Sequence, residues 1–182
     1  MKKALRAVLL TVLLPAGLHP LLSAQPEGAW QGILISKMGR DRYRVSIEVK
    51  SLSSAEEIDE IDRYRGFSDR QAFLGLFESR SRGVVRVSNT KVIQIRAAVK
   101  KAAGAGWRYL LVAKNGIAEP GVKKELDRDR FLVIELLLDD SLSGEGKIYE
   151  NADVDFSGHD VRLTSTPTIP RSILNLKAVK SR

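Results

Sequence analysis

Cysteine is absent from this 182-residue chain, and histidine occurs only twice, as His19 and His159. Without cysteine the protein has no disulfide, no thiol nucleophile, no thiolate metal site and no lipid-bearing cysteine. Because we expect His19 to be removed with an N-terminal leader, His159 remains alone. A single histidine excludes multi-histidine metal sites and most histidine-based catalysis.

Long apolar runs are also missing. A membrane-spanning helix needs about 20 apolar residues, whereas the N-terminal run covers only residues 7–14. Basic residues precede this run within residues 2–6, and Ser23-Ala24 follow it. A basic head, a short apolar stretch and a small-residue exit are typical of a secretory signal peptide. We therefore expect residues 1–24 to be a signal peptide cleaved near Ala24, and residues 25–182 to form a single domain.

The charge of the expected mature chain is modest. It contains 27 lysines and arginines and 22 acidic residues, a net charge of +5. Such a charge is ordinary for an exported domain and does not indicate a nucleic-acid partner. No second apolar run is long enough to span a membrane after signal removal. Export without disulfides favours a bacterial periplasm or exterior, so we expect a periplasmic or secreted bacterial protein that needs no cofactor.

Strand patterns dominate the mature chain. In residues 43–50, apolar Tyr43, Val45, Ile47 and Val49 alternate with polar residues, which predicts a half-buried antiparallel strand. With the short apolar strand before it, this segment predicts a hairpin over residues 32–50. Further strands are predicted at residues 84–87, 93–99, 107–113, 131–138, 147–149, 152–156, 161–163 and 173–179. A helix over 91–103 is the alternative for the second of these, because the segment contains two alanine pairs.

Two helices are predicted within residues 53–82. Ser53 and Ser54 stand three residues before Glu56 and Glu57, a capping-box spacing, and a second box occupies residues 68–71. The apolar stripes of these helices are expected to pack against the sheet, and residues 115–130, which contain two glycines and a proline, are expected to form an exposed loop. The expected core comprises Ile58, Ile61, Phe73, Leu76 and Phe77 beside Val45, Ile47, Ile134 and Leu136.

These elements predict an α+β domain: a mainly antiparallel sheet of about eight strands with a two-helix insertion. A helix-covered sandwich or a partly closed barrel would bury such a sheet.

Three segments resemble a family of secreted bacterial proteins of uncharacterised function. They are SSAEEIDEI at residues 53–61, FLVIELLLDDSLSGEGKIYENADVDF at 131–156 and ILNLKAVK at 173–180. The loop at 115–130 and the insert at 164–171 depart from the family's pattern. The resemblance implies an exported antiparallel domain, and it implies no activity.

Carboxylates are the candidate chemical groups. Asp139-Asp140 with Glu145 is the composition of a cation site or an acid–base pair, but aspartate, serine and glycine are also typical of a tight turn, which we favour. Asp153 and Asp155 lie two residues apart on one strand face, where they form either a paired carboxylate or the solvated face of the strand, which we favour.

Ser157, His159 and Asp160 contain the residue types of a catalytic triad. A triad requires groups that converge from separate elements, whereas these three share one turn, and the sequence has no Gly-x-Ser-x-Gly elbow. Phosphate-loop, dinucleotide-binding, zinc-protease and EF-hand motifs are also absent. We therefore assign no catalytic, cofactor-binding or metal-binding residue.

Arginine is concentrated between residues 40 and 90. The tetrapeptide Asp-Arg-Tyr-Arg occurs at 41–44 and again at 62–65, and further arginines occupy positions 40, 70, 80, 82 and 86. Because the flanking residues differ, we interpret the two copies as coincidence rather than as a repeat. A solvated rim is the favoured interpretation, and a polyanion-binding patch is the alternative.

The sequence thus favours a non-catalytic exported module that binds a ligand or an envelope component. The alternatives are a hydrolase that uses Asp139, Asp153 or Asp155, and an electrostatic binder of an anionic glycan or lipid surface.

Overall fold

The computed structural model describes residues 27–66, 70–90, 92–114 and 130–179. The expected signal peptide, the capping residue Ser68 and nearly all of the predicted loop at 115–130 lie outside these ranges. The helices are α1 (Ala55–Gly66) and α2 (Arg70–Ser79). The strands are β1 (Gly28–Ile35), β2 (Arg42–Val49), β3 (Gly83–Val87), β4 (Ile93–Ala103), β5 (Gly106–Lys114), β6 (Phe131–Leu138), β7 (Gly144–Asp155), β8 (Arg162–Ser165) and β9 (Arg171–Ala178).

Eight of these strands close into an antiparallel barrel. Each strand from β1 to β7 pairs with the next along the chain, and β9 pairs with both β7 and β1. Strand β8 stays outside the barrel and pairs with the far end of β7. The predicted antiparallel sheet with two helices is therefore confirmed. Of the two predicted arrangements, the structure has the barrel and not the sandwich, and the barrel is closed rather than partly closed. Alternation along a strand reveals its buried face and not its partners, so closure through β9 and β1 was not visible in the sequence.

The barrel interior is a packed apolar core. Inward-facing side chains from all eight strands fill it, and Trp30 meets Tyr109 edge to face with ring centroids 5.0 Å apart. The predicted alternation in residues 43–49 is confirmed, since Val45, Ile47 and Val49 point inward. Aromatic and branched aliphatic side chains thus occupy the space that wider barrels keep for a ligand.

Both helices pack on the outer surface of β4 to β7. Ile58, Ile61, Phe73 and Phe77 are buried there, as predicted, against outward-facing residues such as Val133. Leu76 is the exception, because it is only half-buried.

A second correction concerns the partners of the helices. Val45, Ile47, Ile134 and Leu136 do not lie beside the helices but inside the barrel, on the other face of the sheet. Closure gives β6 two buried faces, one toward the interior and one toward the helices. The alternation shows which residues share a face, but it cannot assign that face to the interior or to the helices.

Local signals describe the individual elements well. Ser54 and Glu57 form the predicted capping box at α1, with backbone-to-side-chain hydrogen bonds of 3.1 and 3.3 Å. Residues 93–103 form strand β4 and not the alternative helix. The two strands predicted at 147–149 and 152–156 are one strand, β7, whose pairing with β6 shifts register near Asn151, a residue with a positive φ of 54°.

Candidate functional site

The outer surface opposite the helices carries a shallow groove of about 590 Å³. The helices cover β4 to β7, so the outer faces of β9, β1 and β2 are free of them. Its lining includes two amides, three cations and the aliphatic chain of the central strand, which are Gln31, Asn175, Arg42, Arg44, Lys177 and Ile33, together with Gly32, Tyr43, Ala178 and Val179. We call this surface the basic groove.

Strand register sets the layout of the basic groove. Arg44 on β2 faces Ile33 on β1, and Ile33 in turn faces Leu174 on β9. In the next row, Gln31 lies beside Lys177. Because β1 separates β2 from β9 by two strand spacings, the cationic walls stand about 10 Å apart. The groove is therefore wide enough for one extended chain, with β1 as its floor.

A bulge in β9 shapes one wall of the groove. The pairing of β9 shifts by one residue against both β1 and β7, and Asn175 adopts a positive φ of 54° at that point. Asparagine tolerates this left-handed conformation better than most residues do, and bulges bend and twist a strand locally. The bulge exposes both Leu174 and Asn175 on the outer side.

The cations of the basic groove are electrostatically available. None of the described residues that line the groove is acidic. Arg42, Arg44 and Lys177 form no ion pair with any residue in the described ranges. By contrast, Arg80 forms an ion pair with Glu57 over 3.0 Å and another with Glu60. A cationic surface whose charges are not neutralised by ion pairs attracts anions.

The two Asp-Arg-Tyr-Arg copies of the arginine-rich region lie in different structural surroundings. The first Asp-Arg-Tyr-Arg copy begins β2 and contributes Arg42 and Arg44 to the basic groove. The second ends α1, where Arg65 donates to the carbonyl oxygen of Val154 and lies over the ring of Phe131. The copies thus occupy different structures.

The candidate carboxylates are dispersed. Asp139 accepts hydrogen bonds from the Ser141 hydroxyl (2.6 Å) and the Ser143 amide (3.0 Å), and these bonds lower its pKa. Asp155 binds Ser157 in the same manner, and the hydroxyl and amide of Ser157 lower its pKa. Asp153, on β7, lies beside the first residue of β6, whereas Asp139 directly follows the last residue of β6. The length of β6 therefore separates the two carboxylates by about 23 Å. The paired carboxylates of glycosidases lie only about 5 to 9.5 Å apart.

Ser157, His159 and Asp160 also have separate partners. Ser157 donates to Asp155, while His159 Nδ1 lies 2.7 Å from Asp59 on α1. Asp160 forms an ion pair with Lys101 over 2.5 Å. Burial raises the pKa of Asp160, but hydrogen bonds from Lys101, the Val161 amide and Arg162 outweigh it, and the net direction is down. The three side chains do not form a hydrogen-bonded relay.

A second polar cluster lies on the outer face of β5, β6 and β7. Glu135 is nearly buried, pairs with Arg108 over 2.7 Å and accepts a hydrogen bond from Tyr149. The cavity beside it, of about 50 Å³, also contacts Lys147 and Ser172. The space accommodates a water molecule or two rather than a substrate.

Comparison with known proteins adds no relative: no protein-family model, curated protein or solved structure matches the chain. Within the described residues, no three histidine, cysteine or acidic side chains cluster as metal ligands, and no helix is long and apolar enough to cross a membrane.

Part of this site is predictable from the sequence. Arg42 and Arg44 lie in the arginine-rich region, whereas no sequence pattern indicates a role for Gln31, Asn175 or Lys177. These residues come from opposite ends of the chain, and only the pairing of β1 with β9 brings them together.

Proposed function

We propose that the protein is a non-catalytic binding module that holds an acidic polymer chain in its basic groove, with an anionic glycan as the ligand class. The observation that carries the proposal is the presence of three cations without ion-pair partners in the described ranges, on the two walls of an open groove whose lining contains no acidic residue.

The remaining lining residues favour a glycan among acidic ligands. Gln31 and Asn175 supply amide groups that both donate and accept hydrogen bonds, as sugar hydroxyls require. Ile33 offers an apolar floor for the C–H face of a sugar ring. The arginines bind carboxylate or sulfate groups with charge-assisted hydrogen bonds. A width of about 10 Å matches one polymer strand rather than a flat sheet of lipid headgroups.

Export is the second part of the proposal. Its support is the basic head, the short apolar stretch and the small-residue exit within residues 1–24. Intact-mass measurement of periplasmic or secreted protein should give a chain that begins near Gln25. A Leu10→Arg variant should stay unprocessed in the cytoplasm, because a charge interrupts the apolar stretch. A full-length chain of the original protein in the cytoplasm would contradict export.

Binding can be tested with polygalacturonate as the acidic probe and dextran as the neutral control. We expect calorimetry to detect binding to polygalacturonate alone, with an affinity that falls steeply as salt rises, because exposed charges are screened beyond about 8 Å at physiological ionic strength. The double variant Arg44→Gln/Lys177→Gln should bind at least about tenfold more weakly.

Arg63→Gln is the matched control, because it removes an exposed cation from α1, away from the groove. It should bind like the original protein. Equal losses in the control and the groove variants would indicate general charge attraction and contradict a defined groove. Equal binding to dextran would contradict the acidic ligand class.

A further inference from the structure

One end of the barrel displays the most exposed apolar side chains of the described chain. Three loops of the described residues lie at this end: residues 36–41 between β1 and β2, residues 88–90 with Val92 between β3 and β4, and residues 166–170 before β9. Register places them together, because the last residues of β1 pair with the first residues of β2 and β9, and the last residue of β3 pairs near the start of β2. We call this end, with its three loops, the loop end.

Each of these loops presents one large apolar side chain to solvent. Met38, Val92 and Ile169 are 77, 51 and 85 % exposed, whereas no other large apolar residue in the described ranges exceeds 47 %. Single exposed apolar residues are normal on protein surfaces. The feature that requires an explanation is that the three most exposed ones lie on three separate loops at one end.

Glu150 holds two of the loops in place. Its carboxylate pairs with Lys37 over 2.6 Å, and its carbonyl oxygen accepts a hydrogen bond of 2.8 Å from the Thr168 hydroxyl. Met38 and Ile169 directly follow these two contacts in the sequence. The buried Arg171 side chain also pairs with Glu150, over 2.8 Å. Glu150 therefore holds the residues that precede Met38 and Ile169, while these two apolar side chains are exposed to solvent.

The exposed charges beside the tip of the first loop are predominantly basic. Arg40 and Arg42 flank the tip of the first loop, with Asp41 between them, and the side chains of both arginines are exposed. Apolar side chains on separate tips with cations behind them suit a fluid, anionic surface. A protein partner would instead require a matching pocket for each tip.

We propose that the loop end docks onto an anionic lipid bilayer, with Met38 and Ile169 inserted at the headgroup boundary and Arg40 and Arg42 against lipid phosphates. Val92 adds a third apolar contact. This inference shares Arg42 with the basic groove but does not require the proposed glycan binding, since it rests on the apolar loop tips and not on the lining of β1 and β9.

The test is co-sedimentation with two kinds of vesicle, one of phosphatidylcholine alone and one of equal parts phosphatidylglycerol and phosphatidylcholine. All variants share the same N-terminus, so differences between them report the loop side chains. We expect at least about tenfold stronger partition onto the anionic vesicles than onto the neutral ones. The double variant Met38→Ser/Ile169→Ser should partition at least about tenfold more weakly.

Leu137→Ser is the matched control. It removes an exposed leucine at the opposite end of the barrel and should partition like the original protein. Thermal unfolding of both variants checks that the fold is intact. Unchanged partition of the Met38/Ile169 variant, or no partition of the original protein, would overturn the proposal. Loss of partition in Arg44→Gln/Lys177→Gln with the loop tips intact would also overturn it, because the groove would then be capturing the headgroups.

Discussion

The hydroxyl of Tyr149 donates a hydrogen bond of 2.8 Å to Glu135 on the outer surface of the barrel, with both side chains nearly buried. Glu135 is the only charged residue in the strand Phe131–Leu138, and Arg108 compensates its charge from the neighbouring strand. A nearly buried carboxylate destabilises a protein unless hydrogen-bond and ion-pair partners compensate its charge. Because Tyr149 is one of these partners, we expect the stability of the protein to fall at alkaline pH.

Burial, and then the bond to Glu135, raises the pKa of Tyr149 to about 12 from its ordinary value of 10.0. A raised folded-state pKa means that the stabilisation is complete below pH 10 and is lost as pH rises from about 10 to about 12. We expect urea denaturation to show a loss of about 2 to 3 kcal/mol across this window. A Tyr149→Phe variant should be less stable at pH 7 by about 1 to 2 kcal/mol, and its free energy of unfolding should fall less between pH 10 and pH 12. An equal fall in both proteins would contradict the attribution of the alkaline loss of stability to Tyr149.

Acid pH should weaken the turn after β6. The Ser141 hydroxyl and the Ser143 amide hold the pKa of Asp139 below its ordinary 3.8. Its contribution to stability is therefore present above that value and is lost as pH falls through the lowered one. Asp139→Asn should narrow the difference in stability between pH 5 and pH 2, measured by urea denaturation. Ser141→Ala should narrow this difference in stability less, because the hydrogen bond from the Ser143 amide to Asp139 remains. No change in either variant would show that the turn does not respond to acid.

Glu57 has two structural roles, and its loss should be costly. It caps α1 through Ser54, and it neutralises Arg80 and Arg82, whose side chains are largely buried. Glu57→Ala removes the cap and leaves both cations short of a partner, so we expect a loss of about 2 to 3 kcal/mol in the free energy of unfolding. Glu56→Ala in the same helical turn should have a much smaller effect. Equal effects would contradict the dual role of Glu57.

The buried phenylalanines of α2 should contribute more to the free energy of unfolding than Leu76 does. Phe77 contacts the rings of Phe73, Phe131 and Phe156, with centroids 5.4 to 6.4 Å apart. Phe77→Ala should destabilise the protein by about 3 to 4 kcal/mol. Leu76→Ala should cost about 1 kcal/mol or less, because Leu76 is only half-buried. Thermal and urea unfolding of the two variants give the comparison, and the reverse order would contradict the packing on the barrel.

Two glycines should respond in opposite directions to the same substitution. A Cβ atom at Gly106 would overlap the carbonyl oxygen of Leu138 on the neighbouring strand, so Gly106→Ala should destabilise the protein by about 2 kcal/mol or more. Gly75 lies within α2 with open space around it, so Gly75→Ala should stabilise it by about 0.5 to 1 kcal/mol. Calorimetric melting temperatures should therefore move in opposite directions. An unchanged or raised melting temperature for Gly106→Ala would contradict the close approach of the backbone there, and a lowered one for Gly75→Ala would contradict the open space around that helix position.

Local chemistry explains why so many elements were predictable. The alternation of Val45 and Ile47 with polar neighbours identifies a strand, and the spacing of Ser54 and Glu57 identifies a helix start, since both signals act within a few residues. The same signals did not predict the burial of Leu76 correctly. Leu76 has helical spacing but lies at the margin of the contact between α2 and the barrel, where it is only half-buried. The signals also failed to separate the inward-facing Ile134 from the outward-facing Val133, because β6 is buried on both faces.

In the candidate site, too, the sequence identifies some residues, while the tertiary structure is needed to bring them together. Arg42 and Arg44 belong to a conspicuous arginine-rich segment, but their availability depends on the absence of ion-pair partners among the described residues, which is a property of three-dimensional placement. Gln31 and Lys177 are 146 positions apart in the chain and become neighbours only where β9 closes the barrel against β1.

Composition and short-range periodicity define most strand and helix segments, the lack of cysteine, the scarcity of histidine and the excess of arginine. Tertiary structure is needed to show that the sheet closes, that the helices cover one side of it, and that the cations on the other side lack ion-pair partners within the described residues. Strand pairing over long separations sets all three, and no local pattern encodes which distant strand will complete the barrel.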